Sequence, residues 1–304
     1  MPQRTDSDAL LLPPSAGHAD HPLVHPADRQ LLDAFRQYFA IAPANNSSNS
    51  AKDAANAPLE TLHAIASSFA EIPYENLTKI IKQSEAGIGG KSRRGPLEVL
   101  TDHFRWGTGG TCFSLTATLL HLVRSLGFRA EPILADRRYG ADTHCAMLVW
   151  IDAVPCLLDP GYLIVQPIPL TFRQPLRLPT AFNELELLLD PRGERIELRT
   201  WFANKSTYRL TYKTAPVDAG QFLRVWDASF DWEMMSYPVL TAVRGGFQQY
   251  LQGNRLQRRA RTEVFRQELT EDELLAGIVH QFRIDAQVAQ RALRILNDRR
   301  SLST

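Results

Sequence analysis

The sequence predicts an α+β fold, with a mainly helical N-terminal part, a β-rich middle and helices at the C-terminal end. Three observations carry this prediction. Apolar residues recur at helical spacing up to Gly127, short runs of β-branched and aromatic residues follow, and the end of the chain returns to helical spacing. With 304 residues, 44% of them hydrophobic, the chain can bury one large core or two or three smaller ones.

The N-terminal part divides into an extension and several helices. Residues 1–27 mix Pro, His, Asp and small residues without a period, which predicts a flexible extension. The polar stretch Asn45–Asn56 is predicted to be a loop. Helical spacing predicts helices from Asp28 to just before Pro43, over Leu59–Phe69, over Pro96–Phe104, and through Leu115, Leu119 and Leu122 to Gly127.

The middle and the end of the chain carry different signals. Predicted strands cover Ala146–Ile151, Val154–Leu158, Ile196–Phe202 and Tyr208–Tyr212, with a turn at Asp190–Gly193. No clear period runs through Asp227–Pro238, so its structure stays open. Thr270 with three following acidic residues predicts a helix start, leading to helices towards Phe282 and over 286–296.

Charge and targeting signals exclude several classes of protein. Lys plus Arg (34) nearly balance Asp plus Glu (33), which argues against nucleic acid and anionic membranes as partners. The longest early apolar run, Leu10–Leu12, is too short for a signal peptide or a membrane span, so we expect a cytoplasmic protein. Three cysteines cannot all pair, and clustered metal ligands are missing, so we expect a free thiol and no metal site.

Cys112 is the first candidate for chemistry. It follows a glycine-rich turn, Gly107–Gly110, and opens the strongest predicted helix, with Thr111 as the expected N-cap. Unpaired N–H groups and the positive helix end stabilise a thiolate there and can also bind the oxyanion of a tetrahedral intermediate. The alternative is that Cys112 is a small buried packing residue.

His144 and Asp159 are predicted to meet on one face of a hairpin. His144, Ala146 and Leu148 alternate with residues of the opposite face, and Asp152-Ala153 interrupts the run. A two-residue loop there places Asp159 opposite Ala146 and diagonal to His144, within hydrogen-bonding reach. A three-residue loop would place them on opposite faces. Taken alone, the histidine could be a rim residue and Asp159-Pro160-Gly161 a simple turn.

Other sequence features are predicted to have structural roles only. Cys145 and Cys156 are predicted to be small packing residues. Glu85–Ser92 misses the first glycine of a phosphate-binding loop and is not expected to bind nucleotide. Lys91, Arg93 and Arg94 are expected to lie on a solvated loop.

Four segments together resemble the arylamine N-acetyltransferase family. Gly109–Phe113 resembles the nucleophile motif RGGxCFE, and Thr143-His144 resembles the histidine segment. Leu158–Tyr162 is similar to the aspartate motif DVGFG, and Ile72–Leu77 (IPYENL) is similar to IPFENL. The similarity extends over roughly residues 28–300.

The resemblance implies a fold, a reaction and partners. It implies an N-terminal helical bundle carrying the nucleophile (28–127), a central β-barrel (128–225) and a C-terminal α/β lid (226–304), around a papain- or transglutaminase-like cysteine triad. Cys112, His144 and Asp159 would be catalytic. The implied reaction is a ping-pong transfer of an acyl group from acetyl-CoA or another acyl-CoA to a small amine or hydrazine, with CoA as cosubstrate and no bound cofactor.

Two departures from the family pattern leave alternatives open. Thr108 stands where the family has arginine, and Ser114 stands where it has an acidic residue, both beside the nucleophile. An amide synthase that uses a carrier-bound acyl chain is a close variant. A cysteine amidase, peptidase or transglutaminase-like enzyme would use the same triad order, and an inactive binding protein is a third possibility.

Overall fold

The computed structural model describes residues 28–42, 51–86 and 92–302. The expected extension, residues 1–27, and most of the stretch compared with a phosphate-binding loop, residues 87–91, lie outside the described residues. Within the described residues, no helix combines the length and apolar character needed to span a bilayer.

The N-terminal part is helical, as predicted, with α1 Arg29–Tyr38, α2 Ala51–Phe69, α3 Leu77–Ala86, α4 Pro96–Trp106 and α5 Cys112–Ser125. Two details differ from the prediction. Helix α2 begins at Ala51, inside the expected loop, because the alanines there favour helix. Helix α3 was not predicted, although Leu77 and Ile80 bury one side of it. Helix α5 is buried on all sides except at Arg124, so it forms the centre of the helical part.

The predicted barrel corresponds to a curled antiparallel sheet of eight strands: β2 Ala130–Arg137, β3 Gly140–Ile151, β4 Val154–Asp159, β5 Ile164–Pro169, β6 Leu176–Pro179, β7 Glu184–Leu189, β8 Arg195–Phe202 and β9 Lys205–Lys213. Their order is β5-β4-β3-β2-β9-β8-β7-β6. All the strands predicted in this region are present. The turn between β7 and β8 is also confirmed, with the Gly193 N–H donating to the Asp190 carbonyl at 3.0 Å.

Strand β3 separates two hydrophobic cores. Cys145 and Met147 pack with helix α5, whereas Ala146 and Leu148 pack inside the curled sheet. This confirms the predicted alternation of faces. It also brings the strand that carries His144 against the helix that begins at Cys112.

The C-terminal part forms a second sheet covered by helices. It contains α6 Ala219–Ala228, 3-10 turns at Ser229–Asp231 and Glu233–Ser236, strands β10 Val239–Arg244, β11 Phe247–Gln252, β12 Arg255–Arg259 and β13 Val264–Glu268, and helices α7 Glu271–Phe282 and α8 Ala286–Ser301. Thr270 caps α7 in a capping box with Glu273, and the helix prediction there is confirmed.

The two-residue strand β1, Tyr74–Glu75, joins the second sheet at its edge by pairing with β10. The IPYENL segment therefore ties the helical part to the C-terminal sheet. Asn76 strengthens this link, because its amide donates to the carbonyls of Met234 (2.6 Å) and Tyr237 (2.8 Å). The predicted boundaries at residues 127 and 225 stay a prediction.

Candidate active site

Glycines shape the turn that precedes Cys112. Gly107 ends α4 in the left-handed conformation with φ 68°, which a glycine adopts without strain. A Cβ at Gly109 would lie 1.8 Å from the Pro73 carbonyl oxygen, so only glycine allows the turn to lie against β1. Gly110 then forms a bridge with Tyr74. The glycines of this motif therefore allow close contact between the turn and β1.

A buried ion network holds the same turn. Glu75 accepts the Gly109 N–H at 3.3 Å, and Arg94 donates to the Gly109 carbonyl at 2.6 Å and to Asp102 at 2.6 Å. Arg94 is only 3% exposed, so the expectation that it lies on a solvated loop is wrong. Its neighbour Arg93 is also paired, through both oxygens of Asp227. The family's arginine position is occupied by Thr108, but a guanidinium reaches the turn from Arg94 instead.

The two departures beside Cys112 are both buried. Thr108 contributes its carbonyl to a 2.8 Å hydrogen bond with His103 Nδ1, and its hydroxyl has no hydrogen-bond partner in the described part of the chain. Ser114 lies in the first turn of α5, and its carbonyl accepts the hydroxyl of Thr118 at 2.7 Å. Neither side chain adds a charge next to the nucleophile.

Cys112 is the first residue of α5 and is 2% exposed. Thr111 is the N-cap residue, as predicted, but its side chain makes no capping hydrogen bond. Helical hydrogen bonding starts with the Leu115 N–H donating to the Thr111 carbonyl at 3.0 Å. The N–H groups of the first turn are therefore left without a side-chain cap, and they provide partial positive charge at the helix end that Cys112 opens.

His144 and Asp159 form a fully buried pair, with 2.7 Å between His144 Nε2 and Asp159 Oδ2. The turn between β3 and β4 has two residues, Asp152 and Ala153, both with positive φ (48° and 64°), and Ile151 pairs with Val154. The two-residue loop on which the predicted pairing depended is therefore confirmed.

Asp159 is held as an anion by four donors. Besides His144, it accepts the Tyr212 hydroxyl at 2.6 Å and the N–H groups of Gly161 (2.8 Å) and Tyr162 (3.0 Å). Burial alone would raise its pKa, but His144, Tyr212 and the Tyr162 N–H lower the pKa of Asp159 by more.

The charges favour a thiolate and an imidazolium. A hydrogen bond with the Cys145 thiol lowers the pKa of Cys112 most, burial opposes this, and contact with His144 lowers it further. Burial lowers the pKa of His144, but Asp159 and Cys112 raise it by more. A lowered thiol pKa next to a raised imidazole pKa stabilises the thiolate–imidazolium pair near neutral pH.

Gly161 lies between the catalytic candidates, close to both His144 and Cys112. A Cβ there would lie 2.8 Å from His144 Cε1 and 3.6 Å from Cys112 Cβ. The structure thus brings together all three residues predicted from sequence, and the glycine after Asp159-Pro160 is what allows the turn to approach them.

Four residues around the site were not predicted to act there. Arg137 Nη2 lies 3.1 Å from His144 Nδ1, and the Tyr162 ring stands edge-on to the imidazole with centroids 5.1 Å apart. Tyr212 bonds Asp159 from β9. Cys145 is buried in the core, as expected for a packing residue, but it also contacts the Cys112 thiol. Two of the four have a sequence signal: Cys145 lies next to His144, and Tyr162 ends the segment that resembles the aspartate motif.

No protein-family model matches the sequence, and no curated protein matches it significantly. Solved structures do match. An arylamine N-acetyltransferase from Mycobacterium abscessus has a TM-score of 0.68 at 18% identity, covering 88% of this chain and 94% of that one. The Mycobacterium marinum enzyme in complex with CoA has a TM-score of 0.67 at 16% identity, covering 88% and 98%.

The arylamine N-acetyltransferase of Salmonella typhimurium gives a similar result, with a TM-score of 0.67, 15% identity and coverage of 88% and 98%. At such identities, similarity is evident in the fold rather than in the residues. The order of helices, curled sheet and second sheet agrees with the architecture that the motifs implied. The chain therefore has the fold of the arylamine N-acetyltransferases, as a divergent example of it.

Proposed function

We propose that this chain is an acyl-CoA-dependent N-acyltransferase that uses Cys112 as nucleophile, His144 as general acid and base, and Asp159 to orient the histidine. The observation that carries the proposal is the buried 2.7 Å contact between His144 and Asp159 beside a thiol at an uncapped helix start. The CoA complex of the Mycobacterium marinum enzyme, which has the same fold, supports CoA as the carrier of the acyl group.

In the first half-reaction, the Cys112 thiolate attacks the carbonyl carbon of the acyl-CoA thioester. The N–H groups at the start of α5 stabilise the oxyanion, an effect of about 3–4 kcal/mol per donor in other enzymes. The C–S bond to CoA then breaks, and the imidazolium of His144 gives its Nδ1 proton to the departing CoA thiolate. The products are an acyl-Cys112 thioester and free CoA.

In the second half-reaction, an amine attacks the acyl-Cys112 carbonyl, and neutral His144 takes the proton that the amine nitrogen loses. Collapse of the intermediate breaks the C–S bond, releases the amide and restores the thiolate–imidazolium pair. Asp159 keeps its charge throughout, because its four donors stabilise the carboxylate in both states.

Arginines on the second sheet favour a phosphate-bearing donor. The register pairs Gln257 with both Tyr250 and Arg266, so that Arg259, Arg266 and Tyr250 share one face of this sheet. This is also the face of Tyr74, whose pKa is raised by burial and by the nearby Cys112 thiolate. The face that carries the arginines is therefore the one that borders the nucleophile.

Arg209 on β9 extends this positive surface. The Arg259 guanidinium lies 4.9 Å from the ring centroid of Phe202 in the eight-stranded sheet. Burial, Arg209 and Arg266 all lower the pKa of Arg259. Among the described residues, no carboxylate forms an ion pair with these three arginines, and Arg259 Nε has no hydrogen-bond partner. Mutually repelling guanidiniums of this kind favour an anion such as the phosphates of CoA.

Intact-mass measurement after incubation with acetyl-CoA tests the acyl transfer. We expect one acetyl adduct on the wild-type chain and on Cys156→Ala, a matched buried thiol, but none on Cys112→Ala. Addition of an amine should discharge the adduct and release an amide. Absence of an adduct with any thioester, combined with hydrolysis of an amide by Cys112, would instead identify an amidase.

A second arm tests the phosphate surface with S-acetyl-N-acetylcysteamine, a thioester without phosphate. We expect Arg259→Gln to raise the acetyl-CoA concentration needed for half-maximal acylation by about tenfold. The same variant should behave like wild type towards the phosphate-free thioester. Arg255→Gln is the control, because Arg255 is 79% exposed and already paired with Glu268. Equal effects on both thioesters would exclude phosphate binding by Arg259.

A further inference from the structure

We infer that Arg137 is a specificity-determining residue that binds a carboxylate carried by one of the two substrates. The inference rests on the proposed function, which it deepens by naming a substrate class. Arg137 is the last residue of β2, and its Nη2 lies 3.1 Å from Nδ1 of His144. A group bound to this guanidinium would therefore lie beside the nucleophile.

Two nitrogens of Arg137 have hydrogen-bonding capacity that no carboxylate fills. In Arg93, Nε and Nη2 bind the two oxygens of Asp227 at 2.6 and 2.9 Å, the bidentate geometry that arginine uses for carboxylates. In Arg137, the corresponding Nε is buried and has no hydrogen-bond partner among the described residues, and Nη2 lies against the imidazole. The edge that Arg93 uses to hold an acid therefore lies beside His144 in Arg137 and is not paired with an acid.

The charge on Arg137 lacks a carboxylate partner within the described part of the chain. The nearest acids along β2 and β3, Asp136 and Asp142, both bind Lys213 at 2.7 Å. Asp159 is occupied by His144, Tyr212 and two backbone N–H groups. A guanidinium stays charged at every physiological pH and is costly to bury without an anion, so the site favours an anionic ligand.

The catalytic pair does not supply this anion. A guanidinium only donates, so its contact with Nδ1 requires the neutral imidazole; a proton on Nδ1 removes that acceptor from Arg137. In the resting pair the Cys112 thiolate and the His144 imidazolium balance each other, and in the acyl-enzyme the thioester and the imidazole are both neutral. At neither stage does the pair provide a net counter-charge for Arg137. A carboxylate on the acyl group or on the incoming amine would supply it.

Tyrosines hold the guanidinium and leave access to it. Nη1 donates to the Tyr139 hydroxyl at 2.6 Å, and the guanidinium lies 5.6 Å from the ring centroid of Tyr162. Tyr139 is 73% exposed, which places this side of the site at the surface. A ligand arriving from solvent can therefore reach the Nη1 side of the Arg137 guanidinium by displacing one exposed ring.

The experiment has a donor arm and an acceptor arm. The donor arm compares the acylation rate of Cys112 by malonyl-CoA with that by isovaleryl-CoA, which has a similar shape and no charge. The acceptor arm compares 4-aminobenzoate with 4-aminobenzamide as acceptors for the preformed acetyl-enzyme. Both arms use wild type, Arg137→Gln, Arg137→Lys and the control Arg138→Gln, which changes an exposed neighbour. Each compound is also tested for its ability to protect Cys112 from an alkylating reagent, which measures binding without turnover.

We expect the wild type and Arg138→Gln to prefer the carboxylate in one arm by about 10- to 100-fold. Arg137→Gln should abolish that preference, measured as the ratio of the rates with the charged and the uncharged partner in the same variant, so that a general change in activity cancels. Arg137→Lys should retain part of the preference because it keeps the charge without the fork. The arm that responds identifies the substrate that carries the carboxylate.

Equal preference in Arg137→Gln and wild type, in both arms and in the protection measurement, would overturn the inference. If Arg137→Gln is unfolded by circular dichroism, an unchanged preference in folded Arg137→Lys would overturn it too. Absence of any adduct on wild type with acetyl-CoA would instead contradict the proposed acyltransfer, and the protection measurement would still decide the role of Arg137.

Discussion

Arg94 and Arg137 are two arginines within the same site, and their surroundings differ sharply. Arg94 is 3% exposed and donates to Gly109, Thr78 and Asp102 at 2.6 Å each. Arg137 has an unpartnered Nε and contacts a catalytic candidate, His144. Arg94, whose hydrogen bonds are filled by the protein, holds the turn before Cys112 in place. Arg137, whose hydrogen bonds are only partly filled, can still bind a ligand. The two arginines therefore differ in how many of their hydrogen bonds the protein fills rather than in burial alone.

The largest effect on the acylation rate should come from Asp159, the proposed orienting residue, which pairs with neither of the two arginines. Asp159→Asn keeps the shape of the side chain but cannot hold His144 in the tautomer that accepts a proton from Cys112. We expect acylation by acetyl-CoA to slow by about 10⁴-fold with near-native circular dichroism. Asp152→Asn, on the turn of the same hairpin, should react at the wild-type rate. A loss below tenfold in Asp159→Asn would contradict the triad.

The two arginines themselves should differ in stability. Arg94→Ala leaves Glu75 and Asp102 without their cation, so we expect the free energy of unfolding in urea to fall by about 3–5 kcal/mol. Arg93→Ala, which breaks a partly exposed pair with Asp227, should cost about 1 kcal/mol or less. Arg137→Gln should also stay within about 1 kcal/mol of wild type, because few partners are lost. A loss for Arg137→Gln as large as that for Arg94→Ala would remove the distinction between them.

The pH dependence of Cys112 alkylation tests the electrostatic environment of the nucleophile. The pKa of Cys112 is lowered, so its thiolate should persist below the pH at which a free thiol, with a pKa of about 8.5, becomes protonated. The alkylation rate should fall only as the pH drops through this lowered pKa. His144→Ala should shift the fall to higher pH, because it removes the hydrogen bond and positive charge that stabilise the thiolate. Identical profiles for both proteins and for a free thiol would contradict an activated Cys112.

Sequence patterns located the catalytic candidates more completely than their surroundings. The alternation along 144–151 and the short turn after Ile151 predicted the His144–Asp159 pair, because strand register is a local property. The glycine turn and helix start likewise predicted the position of Cys112. These features depend on spacings of a few residues, which are visible in one sequence.

Contacts between segments that are distant in sequence could not be predicted from local spacing. Strand β1 was missed because two residues carry no period, and its partner β10 begins at Val239. Arg94 was expected in solvent because its partner Glu75 lies in a different segment, which only the fold brings near. Tyr212 and Arg137 enter the site through the pairing of β2 with β9, which has no local signature. Arg94, Tyr212 and Arg137 thus take their places through tertiary packing.

The smallest expected effect concerns Cys145, which belongs both to the packed core and to the site. Its thiol lowers the pKa of Cys112, so Cys145→Ala should raise that pKa and slow alkylation at pH 6 by less than about tenfold. Cys156→Ala removes a buried thiol from the same core cluster without touching Cys112, and it should leave the profile unchanged. Cys145→Ser keeps a hydroxyl donor and should restore most of the rate. If Ser and Ala behave alike, the contribution of Cys145 is packing against α5 rather than hydrogen bonding to the nucleophile.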